Sequence, residues 1–278
     1  MPNYFLTSFL RLPHFKGKTR IENLLKAMLW APKPVALNNG LKMELDPIER
    51  TEMMMIRDGC FEPLTTLLYE KILKDGDIYL DVGAHVGYHT LIARRCIGEA
   101  GKVIAVEPQP HNADKVLANW RCNHFENITI YVAAAGEKNG TVHLNPTKPH
   151  DRAKFSLFEP FRQIDSSLHT LQTFVVPIVR LDTILQQHEF SCVKLLKIDA
   201  EGFEKNVIEG LGDMLAKVEN IVLEFLEFRL LPPIYLQQNI KILQELENKG
   251  FVIKTVTGVP WSHGQPLPES NVWATRSA

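Results

Sequence analysis

The stretch Asp81-Val-Gly-Ala-His-Val-Gly-Tyr constrains this chain more than any other, because an apolar run, Ile78-Tyr79-Leu80, leads into it and a helical pattern leads out. A strand that runs through a glycine turn into a helix reads as a nucleoside-cofactor loop. Gly83 and Gly87 allow the backbone to turn sharply and a ligand to approach closely, and Asp81 ends the strand with a carboxylate able to hold one ligand polar group. The spacing is G-x-x-x-G rather than G-x-G-x-x-G, and Ala84 and His85 crowd the route a pyrophosphate would take to the helix N-terminus. A cofactor without phosphates fits this loop better. About twenty-five residues on, Lys102-Val-Ile-Ala-Val-Glu107-Pro108 reads as a second buried strand ending in an acid, the usual arrangement for gripping ribose hydroxyls.

Around this motif the chain alternates. Strand 78–82, helix 88–97, strand 102–107, helix 110–123 and strand 128–133 call for an α/β fold with a doubly wound parallel sheet covered on both faces. Strand 192–198, helix 203–210, strand 220–225 and helix 234–249 continue it, and Phe251–Val256 with Asn271–Thr275 form a final antiparallel pair. Before the motif, residues 1–30 are amphipathic, Asn38-Asn39-Gly40 signals a hairpin, and 47–57 and 63–73 carry helical spacing. The division expected is an N-terminal helical and hairpin extension over 1–57, then a cofactor domain over 58–278. Between 141 and 180 two short strands bracket a long irregular insert, whose Arg152, Lys154, Phe155, Ser156, Phe158 and Phe161 suit substrate recognition. Asp182 is placed to cap a short helix.

With 278 residues and a formal charge of −1, the chain can bury a large core and presents no field that demands nucleic acid. The four cysteines, Cys60, Cys96, Cys122 and Cys192, are scattered without a C-x-x-C pair, so reduced thiols in the cytoplasm are expected. Nothing in the early sequence reaches the length of a transmembrane segment. The amphipathic N-terminus suits packing on its own domain or on a second copy in a homodimer.

Further along, Val193-Lys-Leu-Leu-Lys-Ile-Asp199-Ala-Glu201-Gly202-Phe-Glu204 stands where a fourth strand and its turn belong. With Val179-Arg-Leu-Asp-Thr-Ile-Leu185 and Ile221-Val-Leu-Glu224-Phe it resembles the FkbM family, and the likeness runs from about Asp58 to Phe251. The resemblance implies a Rossmann-like class I methyltransferase fold with a seven-stranded, mostly parallel sheet whose last strand is antiparallel. It also implies S-adenosylmethionine as cofactor, held by Asp81, Gly83, Ala84, His85, Gly87, Glu107, Pro108 and Asp199, and methylation of a hydroxyl on a sugar, polyketide or other small secondary metabolite. Methyltransferases of this pattern often carry an acid for the adenine amine after the third strand. This chain has Ala133-Ala134-Ala135-Gly136, which leaves backbone groups near Ala134, with Glu137 a solvated turn residue.

Methyl transfer needs an aligned acceptor and, for a hydroxyl, a group to take its proton. Asp199 is the first candidate, at the end of its strand; Lys197, Glu201 and Glu224 stand near it in the pattern, and Glu201 and Glu204 can instead cap the next helix. Asp199 and Glu224 on adjacent strand ends would also suit Mg²⁺. His85 and His89 have the i, i+4 spacing of zinc ligands but lack the H-E-x-x-H glutamate. Two other classes stay open on the residues: a nicotinamide oxidoreductase, opposed by the missing G-x-G-x-x-G, and a nucleoside-binding protein without turnover.

Overall fold

The computed structural model describes residues 34–148, 151–156, 173–225, 233–262 and 264–276, with short pieces of the first 25 residues. Most of the amphipathic segment expected over residues 1–30 lies outside the described residues, as do Phe158 and Phe161 of the insert. The hairpin forms where Asn38-Asn39-Gly40 predicts it, between β1 (Val35–Ala36) and β2 (Lys42–Met43). Helices α1 (Arg50–Asp58) and α2 (Pro63–Ile72) follow, with Pro63 at the first position of α2, where its missing N–H costs no hydrogen bond.

The central unit then runs β3 (Ile78–Val82), α3 (Tyr88–Ile97), β4 (Lys102–Val106), α4 (Pro110–Cys122) and β5 (Ile128–Tyr131). After the insert come β10 (Val193–Ile198), α6 (Glu204–Glu209), a 3-10 turn over Gly212–Lys217, β11 (Val218–Glu224), α7 (Pro233–Asn248), β12 (Phe251–Thr255) and β13 (Asn271–Arg276). Strand order is β12-β13-β11-β10-β3-β4-β5, with β13 antiparallel to both neighbours and the other pairings parallel. The doubly wound sheet with one reversed strand is therefore present as expected.

The chain proceeds from β3 outward through β4 and β5, then returns to place β10 and β11 on the other side of β3. Successive connections diverge at the β3–β10 boundary, and such a divergence opens a crevice at the carboxyl ends of the strands. Val193, Leu195, Leu196 and Ile198 are all fully buried, as a strand covered on both faces requires. One core face joins Leu80, Val82, Leu196 and Ile198 to the C-terminal strands. The other joins Tyr79, Val103 and Leu195 to Leu41, Met43, Met55 and Ile56, so the hairpin and α1 share a core with the sheet.

The described part of the insert is more regular than its composition suggests. A second, four-stranded sheet has the order β6-β9-β7-β8, built from β6 (Ala134–Ala135), β7 (Gly140–Lys148), β8 (Asp151–Ser156) and β9 (Phe174–Val179). The stretch read as irregular after Leu144 continues as a strand because β7 pairs antiparallel to β9 on one edge and to β8 on the other. Asp182 does not cap α5 (Leu181–Leu185): Arg180 occupies the cap position and its guanidinium holds both Asp182 oxygens, which outcompetes a neutral backbone donor. Glu137 is not simply solvated either, since Asn206 Nδ2 donates to it at 2.9 Å. The cysteines are free and half-buried rather than deep in the core. No helix among the described residues is long and apolar enough to cross a membrane.

Candidate functional site

A cleft lies at the β3–β10 crevice, and Asp81, Gly83, Ala84, His85, Glu107 and Pro108 line one part of it. Ala134, Lys197, Asp199 and Glu201 line the rest, together with Thr51 and Met55 from α1. The residues singled out in the cofactor loop, the second strand end and the fourth strand thus converge on one cavity. Gly87 stands behind it, with φ +88 at the N-terminus of α3, where an added Cβ would touch Val116 at 3.3 Å.

Gly83 serves the chain differently from what the sequence suggests. Its φ is +81, and a Cβ there would sit 1.9 Å from the backbone oxygen of Asp199. The space that a side chain would need is filled by the neighbouring strand end, so the glycine is demanded by the close passage of two backbones.

Glu107 is 4% exposed and accepts from the backbone N–H of His85 at 2.8 Å and of Gln109 at 3.0 Å, with Asn112 Nδ2 at 3.3 Å. Burial nevertheless dominates these donors and pushes its carboxyl up to about 7. His85 reaches Glu107 because it takes a left-handed conformation, φ +51, inside the glycine turn.

Strand register sets the charged floor. Lys197 is the parallel partner of Asp81, so both side chains leave the same face of the sheet at its carboxyl end. Lys197 Nζ donates to Asp199 Oδ2 at 2.8 Å. Burial opposes the charge on Lys197, yet Asp199, Glu62 and Asp81 together outweigh it and raise its pKa above the ordinary lysine value. Asp81 is itself raised by burial, against the pull of Lys197 and the hydroxyl of Thr90, which donates to Oδ2 at 2.5 Å. Its Oδ1 is buried and has no hydrogen-bond partner among the described residues.

Three carboxylates meet at the far end. One oxygen each from Asp199, Glu201 and Glu224 can be chosen such that all lie within 4.8 Å of one another. Glu204, the first residue of α6, accepts the N–H groups of Ala200 and Gly202 at 3.2 and 3.0 Å and so braces the turn before the helix, which has no side-chain cap.

Sequence reasoning missed Glu62 and Asn271 and gave His89 no role. Glu62 precedes Pro63 in a left-handed conformation, φ +42, and its Oε2 meets His89 Nε2 at 2.9 Å and Asn271 Nδ2 at 2.7 Å. The hydrogen bonds join positions 27 and 209 residues apart, a distance over which no local spacing carries a signal. Glu269 fixes the same corner by accepting the Leu64 and Thr65 N–H groups at 2.7 and 2.8 Å.

The methyltransferase FkbM domain matches residues 81–253. Among curated proteins, methyltransferase 1 of Beauveria bassiana is 22% identical over 205 residues, covering 68% of this chain and 77% of that protein. Protein-L-isoaspartate O-methyltransferase 2 of Archaeoglobus fulgidus is 33% identical over 60 residues, 22% of this chain. The chain spans only 27% of that relative and 35% of a second isoaspartate enzyme from the same organism. Similar solved structures include the SAM-dependent O-methyltransferase of Thermotoga maritima, at 15% identity and TM-score 0.44 over 94% of this chain and 82% of that one. An rRNA methylase of Streptococcus thermophilus aligns at 11% identity and TM-score 0.44 over 77% and 94%. With the family domain matched across more than half its length, on a sheet of the order described, the chain belongs to the FkbM family of S-adenosylmethionine-dependent methyltransferases.

Proposed function

We propose that this protein methylates a hydroxyl on a small molecule, a sugar, polyketide or other secondary metabolite, at the cleft between β3 and β10. The observation that carries this reading is the placement of Asp199, ion-paired to Lys197, in the same cleft as the buried Glu107 and Asp81. The residues present fit S-adenosylmethionine: Glu107 offers a carboxylate held in place by three donors, and Asp81 Oδ1, buried without a partner among the described residues, can accept from a ligand donor. Pro108 and the backbone at Ala134 line the same cavity and suit the adenine, while Ala84, His85 and Gly87 shape the loop beneath.

When bound, the cofactor supplies an electrophilic methyl group on a sulfonium. Asp199 then orients the acceptor hydroxyl and takes its proton, and Lys197 fixes that carboxylate's direction from within the sheet. Glu201 lines the acceptor side of the pocket, and Glu224 stands behind it in the same carboxylate group. A second reading places Mg²⁺ on Asp199 and Glu224, and it is favoured by their grouping with Glu201.

Calorimetric titration with S-adenosylhomocysteine, followed by methyl transfer to a panel of hydroxylated sugars and polyketides, tests the proposal. Binding with methylation of at least one hydroxyl is expected. Binding of NAD in place of S-adenosylhomocysteine, or transfer to amines alone, would overturn it.

A further inference from the structure

His89 is the second residue of α3, lies on the cleft wall and is 7% exposed. Its ring is boxed by Phe61, Tyr69 and Tyr88, with centroid distances of 6.0, 5.4 and 5.3 Å. At one edge, Nε2 meets Glu62 Oε2 at 2.9 Å. Asn271 Nδ2 donates to the same Glu62 oxygen, so the carboxylate is held from two sides.

An ionised carboxylate only accepts hydrogen bonds, so the proton in this contact belongs to Nε2, and in the imidazole form that carries this one proton Nδ1 is an acceptor. That Nδ1 is buried and has no partner among the described residues. Asp81 Oδ1 is in the same condition on the same wall. An acceptor buried without a donor is costly, and here two of them share one cleft. The surroundings also favour a cation: Glu62, Asp81 and Asp199 all act on Lys197, three carboxylates against one buried ammonium.

We propose that His89, locked by Glu62, binds the α-ammonium of the cofactor's methionine end together with Asp81. A primary ammonium carries three N–H donors and a positive charge, which answers both orphaned acceptors and the excess of carboxylates at once. The assignment rests on the cofactor reading of the cleft given above. It adds a residue pair whose carboxylate, Glu62, lies outside the matched span of 81–253.

The test compares two ligands by calorimetry on the full chain: S-adenosylhomocysteine, and its deaminated analogue, in which hydrogen replaces the α-amino group. His89→Phe keeps the ring packing and removes Nδ1. It is expected to weaken S-adenosylhomocysteine by roughly tenfold or more, the scale of a hydrogen bond to a charged group, and the deaminated analogue by less than about twofold. Glu62→Gln should show the same preference in weaker form, roughly threefold to tenfold, because the amide retains an acceptor but loses the charge. Should His89→Phe fail to fold, Glu62→Gln carries the comparison alone. Equal losses for the two ligands, or no loss for either, would overturn the assignment while leaving the cofactor reading intact. A wild-type protein that binds neither ligand would overturn the cofactor reading, and the assignment with it.

Discussion

Lys197 stands opposite Asp81 in the parallel register of β10 and β3, and the same ammonium reaches Asp199 two residues on, just past the end of its own strand. One buried cation thereby ties the first cofactor motif to the proposed catalytic carboxylate. A lysine buried near the carboxyl end of a central parallel strand would be expensive on its own, since burial disfavours its charge. Here Asp199, Glu62 and Asp81 reverse that preference.

Replacing Lys197 with Met removes the cation and leaves those carboxylates facing one another in a buried site. Breaking a buried pair from one side typically costs about 3–5 kcal/mol. The expected result is a fall in denaturation midpoint at neutral pH that is partly recovered in mild acid, where the stranded carboxylates take up protons. A variant as stable as wild type at pH 7 would mean that the charges around Lys197 are screened.

Glu107 predicts a pH dependence in the opposite sense for stability and for binding. Its carboxyl is raised to about 7 in the folded protein, against an ordinary value of 4.5, because burial disfavours the ion. A group whose folded pKa is raised contributes stability below its unfolded value and loses it as pH climbs through the folded one. Between pH 4.5 and 7 this carboxyl alone would remove about 3 kcal/mol from the ligand-free protein, and Glu204, also raised to about 7, acts in the same direction. Ribose hydroxyls donate to the ionised form, so affinity for S-adenosylhomocysteine should rise with pH up to about 7 and level off above it. Glu107→Gln should flatten that profile; an unchanged slope in the variant would assign the titration to another group.

Gly83 gives a sharper outcome than its motif suggests. Any side chain there would meet the Asp199 carbonyl at 1.9 Å and hold φ near +81, so Gly83→Ala must displace the β3–β10 junction. Strain of this kind costs about 1–3 kcal/mol from the dihedral alone, and the backbone clash adds to it. The variant should melt well below wild type whether or not cofactor is present. Unaltered stability with lost binding would restore the ligand-approach explanation.

How much of this was legible beforehand divides along the range of the interactions. The strands of the central sheet from Ile78 to Ile198 and the helices beside them follow from local periodicity, and the glycine loop, Glu107 and the Lys197–Asp199 strand end follow from short motifs. Their convergence follows from the sheet order that the alternation implies. The Glu62–His89–Asn271 contact could not be read, because its members belong to three separate segments and are joined only when α2 packs beside α3 and β13. The Asp199 backbone that fills the space at Gly83 was hidden for the same reason. The pairing of β7 with β8 was obscured by Pro146, where composition looks irregular while the neighbouring strands β8 and β9 supply the ladder partners.

Asp199 decides between the two accounts of the acceptor side. Asp199→Asn keeps the shape and leaves an oxygen for Lys197, so affinity for S-adenosylhomocysteine should stay within about tenfold of wild type. Turnover at saturating acceptor should fall by roughly 10²–10⁴, the usual loss on removing a general base. If the carboxylate takes the proton itself, wild-type activity is indifferent to EDTA and to added Mg²⁺. If Asp199 and Glu224 hold a metal, EDTA silences the wild-type enzyme, Mg²⁺ restores it, and Glu224→Gln is as damaging as Asp199→Asn, whereas the base account gives Glu224→Gln a smaller effect on acceptor KM. Near wild-type turnover in Asp199→Asn, with methyl transfer shown to be rate-limiting, would remove both accounts and leave the acceptor's own acidity to supply the nucleophile.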